Sequence, residues 1–572
     1  MGKLREEKGF AIIAAMAVSA LLLAVAGAAM LMSQIGYMAL SSEKKFQLAN
    51  WAAEYAVNQG ILNSTTCSSV ATNCPSMTAG GTCTYFGVSG GSFCFVYGTG
   101  QYGSARIVKT AVVPKGTAQY GALTLRNGGV LQLGGSSAIV NCDTSCGTPG
   151  VVYGGSITQQ INGGLHNTTS CPNNPSGIYG TPNATQNGSG TGCASTSCSS
   201  TVLSDRVPVM FQSTDWSDLR NDLSGTYNGI TVDVTNLSAT GLPSAPSPAC
   251  TCTGSVTLTS TSSSCTGVAS FSACGGSVKF TGSLTIQGIP GTITNIVSNY
   301  TGGITVSGVS SANGATFADK NIYTTASTGN ITINDSDVTL NNTSLVAGGG
   351  ITLQNTGTVS GSTLTSSSGS ITIQSTSGIS DSVLVSTGAT SDITLQGGTL
   401  TNSTVVTKDT FTIQSSAGSI TDTNIFSNTT IIQKGAGDLG GGILYSQGGT
   451  TIQGTGGGTQ QVGTTANPTL LLTGGDLTIQ NTNGTTNFNG LVFANGRIIG
   501  QSNGNYGING AVVSNSTASS SVFQSSGNAS INFDIDVLTA LYNDHTGLMQ
   551  QPTCGGGGAK TSYVSNSKVT VY

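Results

Sequence analysis

Hydrophobic and polar residues follow three different patterns along this chain of 572 residues. Residues 10–32 are almost entirely apolar, and no Asp, Glu, Lys or Arg occurs between Phe10 and Ser42. Apolar residues then recur at three- and four-residue spacing as far as Ile61, which predicts a continuing amphipathic helix. Beyond residue 64, short apolar stretches alternate with Thr and Ser between Gly and Asn, which predicts strands and turns.

The apolar segment and the amphipathic pattern together predict one helix over residues 10–63, about 80 Å long at about 1.5 Å per residue. Its apolar part exceeds the roughly 20 residues that span a bilayer core. The basic residues of the leader favour a cytoplasmic N-terminus. Two alternatives remain open. One is a secretory signal cleaved after Ala24-Val25-Ala26, before Gly27, and the other is a plain membrane anchor.

A four-residue motif recurs through the second half of the chain. It appears as LTIQ, ITIN, ITLQ, ITIQ, ITLQ, FTIQ, TIIQ, TTIQ and LTIQ between residues 284 and 480. From Asn334 to Gln453 the last residues of successive motifs are 20, 20, 22, 18, 19 and 20 positions apart. A period near 20 with two or three short strands per repeat predicts a solenoid, and the absence of a leucine-rich consensus favours a parallel β-helix.

Alternation within the motif predicts which side chains face the core. In Ile371-Thr372-Ile373-Gln374 both Ile side chains should point inward and Thr372 and Gln374 outward. Stacked coils would place Ile on Ile and align the Gln side chains in a ladder. The outward Thr/Gln face has two interpretations: a ladder that stabilises the coils, which we favour, or a polar platform for glycans or other surfaces.

Fourteen cysteines follow the apolar segment, which indicates an oxidising compartment and disulfides rather than a metal site. Local spacing suggests the pairs Cys67–Cys74 and Cys83–Cys94. Cys250 and Cys252 lie too close to bridge each other, so each should pair elsewhere. The disulfide candidates are Cys67, Cys74, Cys83, Cys94, Cys142, Cys146, Cys193, Cys198, Cys265 and Cys274.

Charge is scarce: charged residues make up 7% of the chain and the formal net charge is −4. The absence of a basic cluster beyond the leader argues against nucleic-acid binding. The charged residues of the repeat region lie mostly beside Ser, Thr or Asn, where Asp caps turns. They are Asp335, Asp337, Asp381, Asp392, Lys408, Asp409 and Asp422. We predict no catalytic residue, no metal site and no cofactor.

The N-terminus resembles the PilX-type minor pilins of type IV pili. The resemblance rests on the Gly9-Phe10 junction, the stretch QLANWAAEYAVNQG over Gln47–Gly60 and a large variable remainder. It implies that a prepilin peptidase cuts between Gly9 and Phe10. Ala14 stands where ordinary pilins carry a Glu that pairs with a neighbour's N-terminal amine, so the resemblance points to a subunit at or near the filament tip.

The predicted fold is α+β, with a long N-terminal helix followed by a mainly β region that contains a parallel β-helix of about 20 residues per coil. The predicted regions are a prepilin leader (1–9), a transmembrane and filament-core helix (10–63), a small disulfide-bearing pilin-like β section (64–120), a Cys-rich irregular β region (121–280), the β-helix (281–540) and a C-terminal cap or tail (541–572).

The predicted function is that of a minor pilin that displays the β-helix for adhesion or pilus assembly. The resemblance implies, as partners, the prepilin peptidase, other major and minor pilins and the inner-membrane assembly machinery; surface glycans or host surfaces are further candidates. It places the protein in the inner membrane before assembly and then at the cell surface in the pilus. The alternatives are a membrane-anchored β-helix enzyme acting on polysaccharides and a secreted β-helix exoprotein.

Overall fold

The computed structural model describes two units of the chain, one formed by residues 1–117 and 558–572 and the other by residues 118–557. The described residues are parts of 19–34, most of 41–59, 70–74, 82–90, 93–114, short strands and single residues between 123 and 211, and 216–552 with gaps of at most six residues.

The first unit contains helix α1, which is helical throughout residues 43–57, and an antiparallel sheet. Its strands are Thr72–Asn73, Thr82–Gly90, Phe93–Tyr102 and Ala105–Pro114. All four lie beyond residue 64, where the sequence pattern predicts strands. The described positions between residues 19 and 34 are helical as well, but the long helix predicted over 10–63 is not shown as one element.

Helix α1 packs on this sheet through small residues. Ala49, Ala52, Ala53 and Ala56 are fully buried. The facing strand carries Gly98 and Gly100, and a Cβ at Gly100 would lie 2.2 Å from the Ala49 carbonyl oxygen. The side chains of Glu54 and Lys109 form an ion pair between helix and sheet. The close approach therefore depends on Ala on the helix and Gly on the sheet.

The second unit is a parallel β-helix, which confirms the predicted solenoid. Its first sheet, the Thr/Gln face, contains the strands Val256–Leu258, Leu284–Ile286, Ile304–Val306, Ile331–Asn334, Ile351–Gln354, Ile371–Ile373, Ile393–Leu395, Thr410–Ile413, Leu477–Asn481, Ile498–Gln501, Ser521–Ser525, Gly129–Leu133, Ile157–Ile161 and Thr185–Asn187. Its second sheet, the Ser/Thr face, contains Thr316–Ala318, Thr339–Asn341, Thr356–Ser360, Thr376–Ser380, Leu400–Thr401, Ile420–Thr421, Leu439–Gly440, Thr459–Val462, Asn528–Phe533 and Ile139–Asn141.

The third sheet, the covered face, contains Cys250–Cys252, Ser277–Phe280, Asn295–Ser298, Asn321–Thr324, Ser344–Ala347, Thr363–Ser366, Val383–Ser386, Thr404–Thr407, Thr469–Thr473, Leu123–Leu125, Val151–Tyr153 and Ile178–Tyr179. Four longer strands turn a corner between two faces: Asn424–Gln433, Ile443–Gly454, Thr485–Ala494 and Asn505–Ser514. Neighbouring coils pair in parallel throughout, so the backbone groups of each coil bond to the coils on either side.

The register of the coils places identical residue types on one another. Ile351 pairs with Ile371, and Ile371 pairs with Ile393. Ile371 and Ile373 are fully buried, whereas Thr372 is half-buried and Gln374 is exposed. The predicted inward and outward directions of this motif are therefore confirmed. The core is the stack of Ile, Leu, Val and Phe that fills the interior of the solenoid.

The coils do not follow sequence order along the solenoid. The strand Leu123–Leu125 pairs with Val512–Ser514, and Ile139–Asn141 pairs with Ser530–Asn532. The strands Val151–Tyr153 and Ile157–Ile161 form the next coil outward. Residues 123–141 thus supply hydrogen-bond partners for the free backbone edge of the coil that ends at Phe533.

The observed stack of coils includes more of the chain than the predicted β-helix over 281–540. It also contains the strands from Cys250 onward and the strands between residues 123 and 187. The strands between residues 123 and 141 pair with the edge of the coil that ends at Phe533. Helix α3 (Ile535–Asp544) contacts the strands Thr485–Ala494 and Asn505–Ser514. Residues 553–572 lie outside the described residues.

A small α+β segment precedes the first coil. Helix α2 (Trp216–Leu223) is followed by an antiparallel sheet of Gly225–Tyr227, Ile230–Asp233 and Ser238–Thr240.

The segment 241–249, with three prolines, connects the small sheet to the first coil. The last strand of the small sheet contacts Thr404–Thr407, seven coil pairings away from Cys250–Cys252. Seven coil spacings of about 4.8 Å make a distance of about 34 Å along the solenoid axis. The chain from residue 240 to residue 250 covers this distance only if its backbone is extended, with a rise of about 3.3 Å per residue. Proline, which favours extended backbone, suits such a connection.

Among the described residues, no helix combines the length and apolar character needed to cross a membrane. Much of the predicted membrane segment, including Phe10, falls outside the described residues.

Candidate binding faces of the β-helix

The Thr/Gln face presents two columns of uncharged polar side chains. One column contains Thr285, Thr305, Thr332, Thr352, Thr372, Thr394 and Thr412, which pair in register from coil to coil. The other follows the end of each motif and contains Asn334, Gln354, Gln374, Gln396, Gln414, Gln453, Gln480 and Gln501. These side chains are half-buried or exposed. The face therefore offers hydroxyl and amide groups at a repeat of about 4.8 Å.

The predicted Gln ladder is realised between Gln480 and Gln501, where the side-chain amide of Gln480 donates to Oε1 of Gln501 at 3.4 Å. A second amide ladder, which the sequence pattern did not indicate, links Asn489, Asn509 and Asn532. Asn509 donates to Asn489 at 3.1 Å and Asn532 donates to Asn509 at 2.8 Å. Amide ladders therefore stabilise the stack at these positions, in keeping with the structural interpretation.

Buried hydroxyl groups form a ladder at the corner of the solenoid between the Ser/Thr face and the covered face. The Ser382 hydroxyl donates to the Ser380 carbonyl oxygen at 2.6 Å and accepts from the Ser362 backbone N–H at 3.1 Å. The Ser382 backbone N–H in turn donates to the Ser403 hydroxyl at 3.1 Å. Equivalent positions in other coils are Thr343 and Thr423, and all five side chains are buried.

The residue before each of these hydroxyls adopts a left-handed backbone conformation. The φ angles are +50° at Asn342, +58° at Gly361, +52° at Asp381, +45° at Asn402 and +50° at Asp422. Gly, Asn and Asp tolerate this region best. A second motif therefore recurs in successive coils as NT, GS, DS, NS and DT: a residue in the left-handed conformation followed by a buried hydroxyl.

Two of the charged residues of the repeats, Asp335 and Asp392, accept hydrogen bonds from backbone N–H groups, in keeping with the predicted role of Asp at turns. Asp335 accepts from the backbone N–H groups of Val309 at 2.6 Å and Asp337 at 3.1 Å. Asp392 accepts from the Thr410 backbone N–H at 3.1 Å. Asp381 accepts from the Asn402 side chain at 2.6 Å, one coil away.

An ion pair between Asp476 and Arg497 joins adjacent coils at the edge of the Thr/Gln face. Arg497 donates to Asp476 Oδ2 through Nε at 3.0 Å and through a terminal nitrogen at 2.6 Å, and its backbone N–H donates to Oδ1 at 2.8 Å. The hydrogen bonds from Arg497 to Asp476 raise the pKa of the guanidinium. Because both side chains are more than a third exposed, the pair contributes little to stability.

The covered face differs from the other two because, from the strand Val383–Ser386 to the strand Asn505–Ser514, its outward residues are apolar and buried. Trp216 of helix α2 stacks on Tyr445 at 5.8 Å and on Phe493 at 5.6 Å between ring centroids. Tyr227 of the small sheet contacts Phe426 at 4.9 Å. Burial raises the pKa of both Tyr445 and Tyr227 to about 12. The signal in the sequence is the continuous apolar run, as in VLVS and ILYS, which is typical of strands buried on both sides.

Three disulfides lie within the described residues, and they correct the predicted pairing. Cys74 bonds to Cys83, nine residues away, across the pair of strands Thr72–Asn73 and Thr82–Gly90. The pairs Cys67–Cys74 and Cys83–Cys94 are therefore wrong, because strand pairing rather than sequence proximity brings these thiols together.

The other two bonds, Cys250–Cys274 and Cys252–Cys265, confirm that the two neighbouring cysteines pair elsewhere. They fix the loop that covers the first coil with Val268 and Phe271. Cys265 and Cys274 are therefore disulfide-bonded, but to partners that the sequence did not identify.

Several predicted site residues lie outside the described residues: Gly9, Phe10, Ala14, Cys67, Cys142, Cys146, Cys193 and Cys198. Within the part of the chain that the structure describes, no group of three or more His, Cys, Asp or Glu side chains is placed to hold a metal ion.

One exposed aromatic residue was missed by the sequence reading. Tyr300 has 38% of its surface exposed, and among the described residues of the second unit it is the one large apolar side chain so exposed. It lies in the turn that leads from the covered face to the Thr/Gln face. The signal is an aromatic residue in the Gly-rich sequence NYTGG.

Comparison with protein-family models, with curated proteins and with solved structures finds no match to this chain.

Proposed function

We propose that this protein is a minor pilin of a type IV pilus, located at or near the filament tip, that displays its β-helix for adhesion or pilus assembly. The single observation that carries the proposal is the N-terminal sequence: a short basic leader, the Gly9-Phe10 junction and an uncharged apolar run with Ala14 at the fifth position after the junction. This arrangement suits a segment that is kept after cleavage and packs among other helices.

The packing of the first unit supports the proposal. Helix α1 lies on an antiparallel sheet through buried Ala residues, while Trp51 on another side of the helix is 68% exposed. Leu21, Leu22 and Met32 upstream are also exposed. Exposed apolar side chains on a helix suit burial against a membrane or against neighbouring subunits.

The division of the chain is also compatible with display. Helix α1 and its sheet belong to one unit of the chain and the β-helix belongs to the other. In the proposed filament the first unit would be the assembling part and the β-helix the presented part. The partners would be the prepilin peptidase, the major and minor pilins and the inner-membrane assembly machinery.

Localisation tests this proposal. Shed filaments from cells that produce the protein would be labelled with gold-coupled antibody against the β-helix, with filaments from a deletion strain as the control. Labelling at filament ends is the expected result. Uniform labelling of the cell surface with unlabelled filaments would contradict a role in the pilus.

A further inference from the structure

The Thr/Gln face is the exposed side of the β-helix with the most regular chemistry. Its Thr and Gln columns carry no charge over the strands from Ile331–Asn334 to Leu477–Asn481. A macroion such as nucleic acid requires basic groups to neutralise its phosphates, and these columns have none. Amides and hydroxyls, by contrast, each donate and accept hydrogen bonds. The face is therefore complementary to an uncharged ligand that is itself rich in hydroxyl groups.

The ligand should also be a polymer. The columns extend along the solenoid axis with one Thr and one Gln position per coil, about 4.8 Å apart. A chain of linked sugars lying along this axis would meet the same pair of groups repeatedly. Each contact is weak on its own, since the groups exchange bonds with water, so useful affinity needs many contacts in series.

Tyr300 adds a second, independent feature at one edge of this face. Its turn ends at Gly303, directly before the strand Ile304–Val306 of the Thr/Gln face. The ring lies against Gly302, where an added Cβ would be 2.4 Å from the Tyr300 ring atom Cε1. Thr328 of the next coil donates to the Thr301 carbonyl oxygen at 3.5 Å and supports the turn. An exposed aromatic ring at this place is suited to stack on the apolar C–H face of a sugar.

We propose that the Thr/Gln face binds a neutral polysaccharide chain along the solenoid axis, with Tyr300 stacking on a sugar ring at its edge. The inference rests on the proposed display function, for which it names the class of ligand.

Affinity electrophoresis of the purified full-length protein tests the proposal. The gels would contain a neutral polysaccharide (dextran, mixed-linkage β-glucan or galactomannan) or the acidic polygalacturonate. The expected result is retardation by at least one neutral polysaccharide and none by polygalacturonate. Tyr300→Ala should weaken that binding by about tenfold, which corresponds to about 1.4 kcal/mol.

A second test introduces a negative charge on the Thr/Gln face. Thr372→Glu lies in the middle of the Thr column, and Thr401→Glu on the Ser/Thr face is the matched control, because both side chains are half-buried. Binding should be lost in the first variant and kept in the second, with equal melting temperatures for both.

Three results would overturn the proposal: retardation by polygalacturonate alone, no retardation by any of the neutral polymers, or equal loss in Thr372→Glu and Thr401→Glu. Since the purified protein is tested without filaments, failure here is distinguishable from failure of the pilus proposal, which depends on localisation.

Discussion

The buried hydroxyl of Ser382, at the corner of the solenoid, should contribute substantially to the stability of the neighbouring coils. Ser382→Ala removes a group that accepts from the Ser362 backbone N–H and donates to the Ser380 carbonyl oxygen. Ser382 is fully buried, so water cannot replace these bonds without disturbing the corner. A buried N–H left without a partner costs about 1–3 kcal/mol, and the change should therefore destabilise the neighbouring coils by about 2 kcal/mol.

Amide hydrogen exchange measured by mass spectrometry reads this effect locally. An opening free energy lowered by about 2 kcal/mol corresponds to exchange about 30-fold faster in the peptide that contains Ser362. Ser377→Ala is the matched control, because Ser377 is exposed in the same coil. If the two variants exchange at the same rate around Ser362, the buried ladder does not stabilise the corner and the reasoning is refuted.

Three further predictions concern other parts of the chain. Gly100→Ala should destabilise the packing of helix α1 by about 1–3 kcal/mol, because the added methyl group would meet backbone atoms of Ala49 and Ala53. Thr99→Ala is the control. An unchanged thermal transition of the first unit in Gly100→Ala would contradict the described packing. Cys252→Ser should free the loop that covers the first coil, and limited proteolysis should then cut within residues 253–274 while the intact protein resists. Burial lowers the pKa of His545, so its contribution to the free energy of unfolding should be complete above pH 6.5 and should decrease as the pH falls below that value. Between pH 7.5 and pH 5, urea unfolding should therefore show a smaller loss of stability for His545→Gln than for the unchanged protein. An equal loss in both proteins would refute the assignment.

The repeated motif allowed the fold of the β-helix to be predicted from the sequence. Alternation in Ile371-Thr372-Ile373-Gln374 is a local property, and stacking follows once the period is known. The turn chemistry of Asp381 was predictable for the same reason, since Asp favours such positions whatever lies around it.

The order of the coils could not be predicted in this way. Nothing local to Leu123 indicates that it pairs with Val512, almost 400 residues later. The pairing of Cys74 with Cys83 likewise depends on strand register rather than on spacing.

The burial of the covered face could be predicted in part from the sequence. Runs such as VLVS are apolar at both alternating positions, which indicates that both sides are buried. They do not say what buries them, because the stacking of Trp216 between Tyr445 and Phe493 joins residues more than 200 positions apart.

Sequencing the N-terminus of the mature protein purified from cells tests the central claim most directly. The account predicts that the chain begins at Phe10 and that the leader is retained when the prepilin peptidase gene is deleted. A mature chain that begins at Gly27, or one that keeps its leader in cells with an active peptidase, would contradict it.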